Sequence, residues 1–234
     1  MDINHIAIIC DGNRRYARRQ GKIPTEGHKD GVESMKKLLL AAKDASEYDK
    51  KKYGFKELSL YVLSMQNLQR NPIEVKFLMD LFEQGFTEIL NSKEIEEGQI
   101  RVDFLGRTHL LPDRVKNIIE KIKEKTKDYK NFKLNFCITY GGREEIIDGI
   151  NKLIAEGRTE PISEPEFGKY LYTDSEPEIV IRTSGEYRTS NFLMWQSSYS
   201  EWFFLEKTWP EFTSEDLKQV IDEFRTKRKR RFGK

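Results

Sequence analysis

Residues 5–19, HIAIICDGNRRYARR, join three local patterns within one short stretch. The apolar run at 5–10 predicts a buried strand, because its side chains do not alternate between polar and apolar. Asp11-Gly12-Asn13 predicts a tight turn, since all three residue types favour turns. The arginine-rich sequence that follows predicts the start of a helix. The stretch is therefore a strand, a turn and a helix start.

Asp11 would lie at the carboxyl end of that strand, where open α/β sheets bind ligands. The first N–H groups of the helix and the four arginines after the turn favour an anion at the same place (Arg14, Arg15, Arg18 and Arg19). A carboxylate suits such a site if a divalent metal lies between it and the anion. Mg²⁺ is held in this way by one or two carboxylates and substrate phosphates. We therefore expect Asp11, Mg²⁺ and a diphosphate, the alternative being that Asp11 only caps the helix.

Composition limits the class of protein. A chain of 234 residues with 37% hydrophobic content suits one α/β domain over 1–234. Lysine and arginine (41) nearly balance aspartate and glutamate (39), which leaves a net charge of +2 and argues against a nucleic-acid partner. Cys10 and Cys137 lie in apolar runs with no signal peptide ahead of them, so we expect reduced, buried thiols and a cytoplasmic protein. No apolar segment approaches the roughly 20 residues that span a bilayer, so any membrane association would be peripheral.

Strand and helix patterns alternate along the rest of the chain. Helices are predicted at 32–45, 72–90, 111–127, 144–157, 164–170 and 214–230, and strands at 57–64, 101–107, 132–143, 178–182 and 202–205, with one more helix between 192 and the last strand. This alternation predicts a mostly parallel central sheet with helices on both faces.

Polar residues follow the predicted strands at their carboxyl ends. After Asp11 these are residues 64–70, Arg107, residues 141–143 and residues 182–188. Since the carboxyl ends of parallel strands share one edge of a sheet, we expect one crevice rich in arginine. Arginine clusters of this kind suit phosphate groups.

The helix predicted at 72–90 carries more apolar side chains than one packing stripe needs: Val75, Phe77, Leu78, Leu81, Phe82, Phe86, Ile89 and Leu90. Two interpretations are open, a wide core contact and the wall of a cavity for a long apolar ligand. The common nucleotide-binding and hydrolase motifs GxxxxGK[ST], GxGxxG and GxSxG do not occur in the chain. Of the three histidines, His28 lies nearest the first anion-binding turn and is placed in the site, whereas His5 is expected to be structural.

Six segments together resemble the cis-prenyltransferases, the undecaprenyl diphosphate synthase-like enzymes. They are HIAIICDGNRRYA, GHKDG, LYVLSMQNLQR, NFCITYGGREEI, IVIRTSGEYRTSNFLMWQSSYSE and the terminal RRFG, in the family's order over essentially the whole chain. The resemblance implies a parallel sheet with flanking helices, a hydrophobic tunnel and a homodimer. It also implies a Mg²⁺-dependent condensation of isopentenyl diphosphate with an allylic prenyl diphosphate, which would make a (poly)cis-prenyl diphosphate, the precursor of a lipid carrier. The tunnel would be walled by the 72–90 helix and the strand around Phe104.

The same resemblance implies roles for individual residues. Asp11 would be the Mg²⁺-linked aspartate, and Glu201 the second metal ligand. Asn67 matches the family's proposed proton acceptor, but an amide is a poor base, so we expect it to position substrate. The substrate-binding residues would be Gly12, Asn13, Arg14, Arg15, Tyr16, His28, Ser64 and Arg70 for the allylic substrate, Arg182, Arg188 and Ser190 for isopentenyl diphosphate, and Arg231 and Gly233 completing a partner subunit's site.

Four positions depart from the family's pattern. Gln66 and Leu68 replace a glutamate and a tryptophan, Pro24 replaces an arginine, and Tyr187 replaces a histidine. These changes bear on substrate preference more than on reaction class. The alternatives are a variant branched or single-step condensation, suggested by Gln66, and a non-catalytic partner subunit. A third would make the terminal KRKRRFGK a nucleic-acid patch, although cations at a helix end also complement its dipole and attract anionic lipid.

Overall fold

A computed structural model describes residues 3–48 and 53–227 of the chain. Its strands are β1 (His5–Ile9), β2 (Glu57–Tyr61), β3 (Ile100–Leu105), β4 (Phe132–Cys137), β5 (Ile179–Arg182) and β6 (Glu201–Phe204). They form one parallel sheet in the order β3-β4-β2-β1-β5-β6. The predicted mostly parallel central sheet is confirmed.

The first strand lies inside the sheet with all five of its side chains buried. The chain passes from β1 to β2 on one side and later returns to pair β5 on the other. The carboxyl end of β1 therefore lies where the strand order reverses, the place at which open α/β sheets bind ligands.

The described residues contain eight α-helices. They are α1 (Asn13–Arg19), α2 (Glu26–Tyr48), α3 (Pro72–Asn91), α4 (Lys93–Glu97), α5 (Asp113–Thr126), α6 (Gly142–Ala155), α7 (Glu164–Gly168) and α8 (Ser214–Lys227). Short 3₁₀ turns occupy Met65–Gln69, Thr108–Leu110 and Trp209–Glu211. Within the described ranges, no helix is long and apolar enough to cross a bilayer.

The sheet has an apolar core on each face. Ile6 and Ile8 of β1 belong to the larger core, which includes side chains from α2, α3, α5 and α8. Ala7 and Ile9 belong to a smaller core on the other face, where Phe192 stacks on Tyr61 with ring centroids 4.7 Å apart. Tyr140 of the smaller core donates a hydrogen bond to Glu145 of α6, so a helix borders this face of the sheet as well.

Two predicted helices differ from the structure. The helix expected at 32–45 begins earlier, at Glu26, and includes Gly27 and Gly31. These glycines let α2 cross α1 closely, because a β-carbon on Gly27 would lie 2.0 Å from the Asn13 carbonyl oxygen and one on Gly31 would lie 2.6 Å from Asn13 Oδ1.

The helix predicted between residue 192 and the last strand is wrong, because the structure has turns there. Ser190, Asn191 and Leu193 have positive φ angles of 49°, 62° and 42°. Such left-handed residues interrupt a right-handed helix. The apolar side chains of this stretch contribute instead to the smaller core, where Phe192 and Leu193 are fully buried.

Candidate active site

The turn after β1 is fixed by close packing. Gly12 has a φ of 102°, which favours glycine, and a β-carbon there would lie 2.6 Å from Ser184 Oγ and 2.7 Å from Thr208 Cγ2. The Asp11 N–H donates to Thr183 Oγ1 at 3.0 Å, and that hydroxyl donates to the Asp11 carbonyl oxygen at 2.8 Å. The end of β5 therefore holds the end of β1, which sets the position of the Asp11 carboxylate.

A pocket of about 490 Å³ opens at this edge of the sheet. Twelve of the predicted site residues line it: Asp11, Gly12, Asn13, Arg14, Arg15, His28, Ser64, Asn67, Arg70, Arg182, Arg188 and Ser190. They come from the carboxyl ends of β1, β2 and β5 and from the starts of α1 and α2. The prediction that distant segments converge on one arginine-rich crevice is confirmed for these strands.

Two arginines converge on the Asp11 carboxylate. Arg182 is buried and donates to Asp11 Oδ2 at 2.8 Å, to Ser190 Oγ at 2.6 Å and to the Arg188 carbonyl oxygen. Arg15 lies 3.4 Å from the same Asp11 oxygen. Arg182 thus joins the carboxylate to the segment that carries Ser190 and Arg188, the two other residues assigned to isopentenyl diphosphate.

Glu186 ties the two predicted substrate regions together, and the sequence prediction missed it. Its carboxylate pairs with Arg15 at 2.6 Å and with Arg188. These two ion pairs, with the neighbouring hydrogen bonds, hold the pKa of Glu186 below its usual range. Arg188 is a predicted ligand of one substrate and Arg15 of the other, so Glu186 connects the two predicted sites.

Glu74 organises a second group of cations and was also missed. Its carboxylate lies 2.9 Å from Arg70 Nη1, 3.3 Å from Arg14 Nη1 and 3.5 Å from His28 Nε2. Burial alone would raise the pKa of Glu74, but the charges of Arg70 and Arg14 outweigh it and lower that pKa. Burial and then the charge of Arg70 lower the pKa of His28, so this imidazole is neutral at neutral pH. The available signal was an acidic residue four positions after Arg70, in the first turn of the predicted helix.

Ser64 and Asn67 cap the 3₁₀ turn at Met65–Gln69. The Asn67 N–H donates to Ser64 Oγ at 3.2 Å, and the Ser64 N–H donates to Asn67 Oδ1 at 3.1 Å. The amide oxygen of Asn67 is therefore already a hydrogen-bond acceptor, and Asn67 lines the pocket. Gln66 and Leu68, the two departures in this turn, do not line the pocket.

The predicted crevice does not extend to every strand end. Arg107 after β3 forms a bidentate pair with Asp148, with distances of 3.0 Å and 2.8 Å, and does not line the pocket. Residues 141–143 after β4 do not line it either. The prediction is wrong at these two places, because β3 and β4 lie three and two strands from β1, about 14 Å and about 10 Å at ordinary strand spacing.

Other predicted residues lie apart from the pocket. Tyr16 is half-buried on α1 and does not line it. Glu201 begins β6 opposite Ile179, three residues before the Arg182 end of β5, which is about 10 Å of strand. Arg231 and Gly233 lie outside the described residues, as does most of the basic terminal run.

An apolar cavity of about 70 Å³ adjoins the pocket. Cys10, Asn13, His28, Val62 and Leu78 line both spaces. The rest of the cavity is walled by Val32, Met35, Leu81, Phe82, Gly85, Phe86, Phe136 and Trp209. The inner surface of α3 therefore lines an apolar cavity, and a long apolar ligand in that cavity stays a prediction. Phe104 lies behind this wall, with its ring centroid 4.9 Å from that of Phe86.

The sequence profile of undecaprenyl diphosphate synthases, a prenyltransferase family, matches residues 9–233. The chain belongs to this family. It is 44% identical over 237 residues to the tritrans,polycis-undecaprenyl-diphosphate synthase (geranylgeranyl-diphosphate specific) of Methanopyrus kandleri, covering 98% of this chain and 84% of the relative. It is 41% identical to the Methanocaldococcus jannaschii protein of the same name, with 98% and 82% covered.

The fold agrees with this membership. The crystal structure of lavandulyl diphosphate synthase from Lavandula x intermedia, in complex with dimethylallyl diphosphate, superposes with a TM-score of 0.87. That chain is 32% identical, and the match covers 99% of this prenyltransferase and 98% of the plant enzyme. The family resemblance drawn from the sequence is confirmed.

Proposed function

We propose that this prenyltransferase condenses isopentenyl diphosphate with an allylic prenyl diphosphate to form a (poly)cis-prenyl diphosphate, a lipid-carrier precursor. The observation that carries the proposal is the polar pocket and the apolar cavity lying side by side, with five lining residues in common. The pocket is lined by six arginines (Arg14, Arg15, Arg18, Arg70, Arg182 and Arg188), and the cavity runs along α3. A diphosphate with a hydrocarbon tail has one part that suits each space.

The allylic diphosphate is assigned to Gly12, Asn13, Arg14, Arg15, His28 and Arg70. Loss of this diphosphate leaves an allylic cation and concentrates negative charge on the leaving group, which fixed guanidinium groups stabilise. Two of these residues, Asn13 and His28, also line the apolar cavity, so the tail would enter it directly. The apolar wall keeps water from quenching the cation.

The second diphosphate is assigned to Arg182, Arg188 and Ser190. Arg182 Nη1 already donates to Ser190 Oγ at 2.6 Å, so the two residues are held together before substrate binds. Arg188 is exposed and pairs with Glu186. A bound diphosphate would compete with Glu186 for the Arg188 guanidinium. Asn67 is assigned to positioning of the substrate, with proton transfer left to another acceptor such as a diphosphate oxygen.

Mg²⁺ is proposed as the metal, with Asp11 as its protein ligand. Within the described residues, no three His, Cys, Asp or Glu side chains are grouped as a metal site, so an all-protein site is not what Asp11 offers. One carboxylate among arginines fits a metal whose other ligands are diphosphate oxygens and water. The metal supplies positive charge to the departing diphosphate. Glu201 remains the predicted second ligand. Because Glu201 lies at the amino end of β6, Glu201→Gln is the variant that tests this assignment.

Geranylgeranyl diphosphate is the proposed allylic starter, because the archaeal relatives carry that specificity in their names. The solved plant structure, which holds dimethylallyl diphosphate, marks the second candidate. A reaction with dimethylallyl diphosphate would be a variant condensation on the same fold, which Gln66 in place of a glutamate also suggests. The products separate the two candidates, since repeated cis elongation gives a ladder and a single coupling gives one compound.

A homodimer is proposed as the functional assembly. Ile147, Ile150 and Ile154 on α6 are 51%, 39% and 68% exposed and recur at helical spacing. An exposed stripe of this kind is typical of a protein interface. Arg231 and Gly233 would then complete the partner subunit's site, and the basic terminal residues would favour peripheral contact with an anionic membrane.

The experiment is an incubation of the purified chain with labelled isopentenyl diphosphate and Mg²⁺. Dimethylallyl, geranyl, farnesyl and geranylgeranyl diphosphates are supplied in turn, and the products are sized and their double-bond geometry determined. We expect a ladder of cis-elongated products that forms in highest yield from geranylgeranyl diphosphate. Asp11→Ala should form none of these products. A folded wild-type dimer that makes no product from any starter would refute the proposal.

A further inference from the structure

The turn at residues 141–143 contacts the segment that carries Ser190, although it does not line the pocket. The Gly142 N–H donates to the Asn191 carbonyl oxygen at 2.7 Å, and the Arg143 N–H donates to Asn191 Oδ1 at 2.8 Å. Both donors lie at the start of α6, where N–H groups have no partner within the helix. Asn191 therefore satisfies two free donors of α6 with a single residue.

The side chain of Asn191 is held at both of its polar atoms. Asn191 Nδ2 donates to Glu144 Oε2 at 2.8 Å, while Asn191 Oδ1 accepts the Arg143 N–H. The contact is closely packed, because a β-carbon on Gly141 would lie 2.2 Å from Glu144 Oε2 and 2.7 Å from Asn191 Nδ2. The first turn of α6 thus fixes both the backbone and the side chain of Asn191.

Asn191 and Ser190 both have left-handed backbones, with φ angles of 62° and 49°. Asparagine adopts this conformation more readily than serine, because its side chain can hydrogen-bond locally. The Ser190 carbonyl oxygen accepts a long hydrogen bond of 3.4 Å from the Tyr61 hydroxyl, which alone is a weak support. Strained conformations persist only where the surrounding structure fixes them. The hydrogen bonds between Asn191 and α6 supply that support for the turn.

Ser190 belongs to a chain of contacts that reaches the Asp11 carboxylate. Arg182 Nη1 donates to Ser190 Oγ at 2.6 Å, and Arg182 Nη2 donates to Asp11 Oδ2 at 2.8 Å. Arg182 Nη1 also donates to the Arg188 carbonyl oxygen. Asn191 follows Ser190 directly but does not line the pocket, so any effect of Asn191 on substrate passes through these neighbours.

We propose that Asn191 is a positioning residue for the isopentenyl diphosphate site, which joins the start of α6 to the left-handed turn that holds Ser190. The inference rests on the proposed function. When this link is broken, Ser190 is displaced and Arg182 loses one of its acceptors. The residues assigned to the allylic diphosphate lie on other elements, so their arrangement is kept. The consequence is a selective loss of affinity for isopentenyl diphosphate.

The first test compares two variants of Asn191 by steady-state kinetics, with isopentenyl diphosphate and geranylgeranyl diphosphate varied in turn. Asn191→Gly permits the left-handed backbone and removes both side-chain hydrogen bonds, whereas Asn191→Ala adds backbone strain to the same loss. We expect KM for isopentenyl diphosphate to rise by roughly tenfold in Asn191→Gly, as for the loss of a hydrogen bond to a charged group, and further in Asn191→Ala. KM for geranylgeranyl diphosphate should change by less than about threefold.

A reciprocal exchange tests whether the link to Glu144 carries the effect. Asn191→Asp keeps an acceptor for the Arg143 N–H but sets two carboxylates against each other, since Asn191 Nδ2 lies 2.8 Å from Glu144 Oε2. We expect this variant to lose affinity for isopentenyl diphosphate as well. Adding Glu144→Gln restores a donor and an acceptor with their roles exchanged. The double variant should therefore return KM to within about threefold of wild type.

Ser92→Gly is the matched control. Ser92 Oγ accepts the Ile95 N–H in the first turn of α4 at 3.2 Å and donates to Glu94 at 2.7 Å, so it resembles Asn191 in both contacts. Ser92 does not line the pocket and has no contact with the turn that holds Ser190. We expect both KM values of Ser92→Gly to stay within about threefold of wild type.

Binding without turnover separates this inference from the proposed function. Isopentenyl diphosphate alone has no allylic partner to react with, so calorimetry gives its Kd for each folded variant. We expect Kd to rise roughly tenfold in Asn191→Gly, which folds most readily because glycine permits a positive φ, and to recover in the double variant. If wild type binds isopentenyl diphosphate but forms no product, the condensation is refuted and Kd still measures the positioning role. Unchanged Kd in Asn191→Gly, or equal rises of KM for both substrates, would overturn the positioning role even if wild type is active.

Discussion

Arg182 Nη2 lies 2.8 Å from Asp11 Oδ2, and the Arg182 side chain is only 3% exposed. A buried guanidinium needs several acceptors, and Arg182 has three, from Asp11, Ser190 and the Arg188 carbonyl. The planar fork of arginine serves all three at once, whereas lysine is a single point of charge. The pairing therefore depends on the shape of the side chain as well as on its charge.

Arg182→Lys should consequently lower kcat/KM by about 100-fold although it keeps the charge. The larger part of the loss is expected in KM for isopentenyl diphosphate, because Arg182 and Ser190 are assigned to that substrate. Steady-state kinetics with each substrate varied in turn measure the split. A variant with wild-type KM values for both substrates would contradict the assignment.

Arg107→Lys is the matched comparison at an arginine that the structure keeps out of the pocket. Its guanidinium pairs with Asp148, and both side chains are about a quarter exposed. We expect kcat/KM to change by less than about threefold and the free energy of unfolding to fall by about 1 kcal/mol or less. A loss of activity as large as that of Arg182→Lys would show that this strand end does reach the substrate.

Gly12→Ala should be strongly destabilising. The substitution forces a β-carbon to within 2.6 Å of Ser184 Oγ and 2.7 Å of Thr208 Cγ2 at a positive φ. Gly21→Ala is the control, since its φ is also positive, at 69°, but no atom lies within 4 Å. We expect a loss of about 3 kcal/mol or more for Gly12→Ala and about 1 kcal/mol for Gly21→Ala, measured by urea unfolding. If both variants lose the same free energy of unfolding, backbone strain alone, without steric crowding, accounts for the glycine at position 12.

The stability of the fold should decrease at acid pH through His5. This imidazole is buried between Ser59 Oγ at 2.8 Å and Ser175 Oγ at 3.0 Å, and burial, the largest effect, lowers its pKa from 6.5 to about 4. The unfolded chain takes up the proton near pH 6.5 but the folded chain does so only near pH 4. The contribution of neutral His5 is therefore complete above pH 6.5 and is lost as the pH falls toward 4, by about 3 kcal/mol in total.

Urea unfolding at pH 7 and pH 4.5 measures this dependence. We expect His5→Gln to lose less stability than wild type between the two pH values, and His109→Gln, which changes an exposed imidazole, to behave like wild type. If His5→Gln and wild type lose the same free energy, another group controls acid stability. Glu57 is the first to test, because burial raises its pKa but His5 and Lys133 outweigh this and lower it.

Much of the site could be predicted from local sequence, because each residue follows a strand whose period and composition are clear. Asp11, Arg70 and Arg182 were placed in this way. Arg107 was misplaced because strand order in the sheet depends on long-range pairing, which no local pattern shows. Glu74 and Glu186 were missed because a carboxylate near a phosphate site looks unfavourable until its arginine partners are seen. The stretch after residue 192 was predicted to be helical because its apolar spacing resembles a helix, whereas the left-handed backbone angles of Ser190, Asn191 and Leu193 have no equally clear signal.

The pairing of β1 with β5 also has a consequence for biosynthesis. Asp11 and Arg182 are 171 residues apart in the chain, so they meet only after most of the protein has left the ribosome. Until then one edge of β1 lacks its hydrogen-bonding neighbour and is open to pairing with other chains. High contact order of this kind slows folding, and the site is completed among the last parts of the fold. A truncated chain that ends before β5 would contain most of the residues that line the pocket but no Arg182, and it would expose an apolar strand as an aggregation surface.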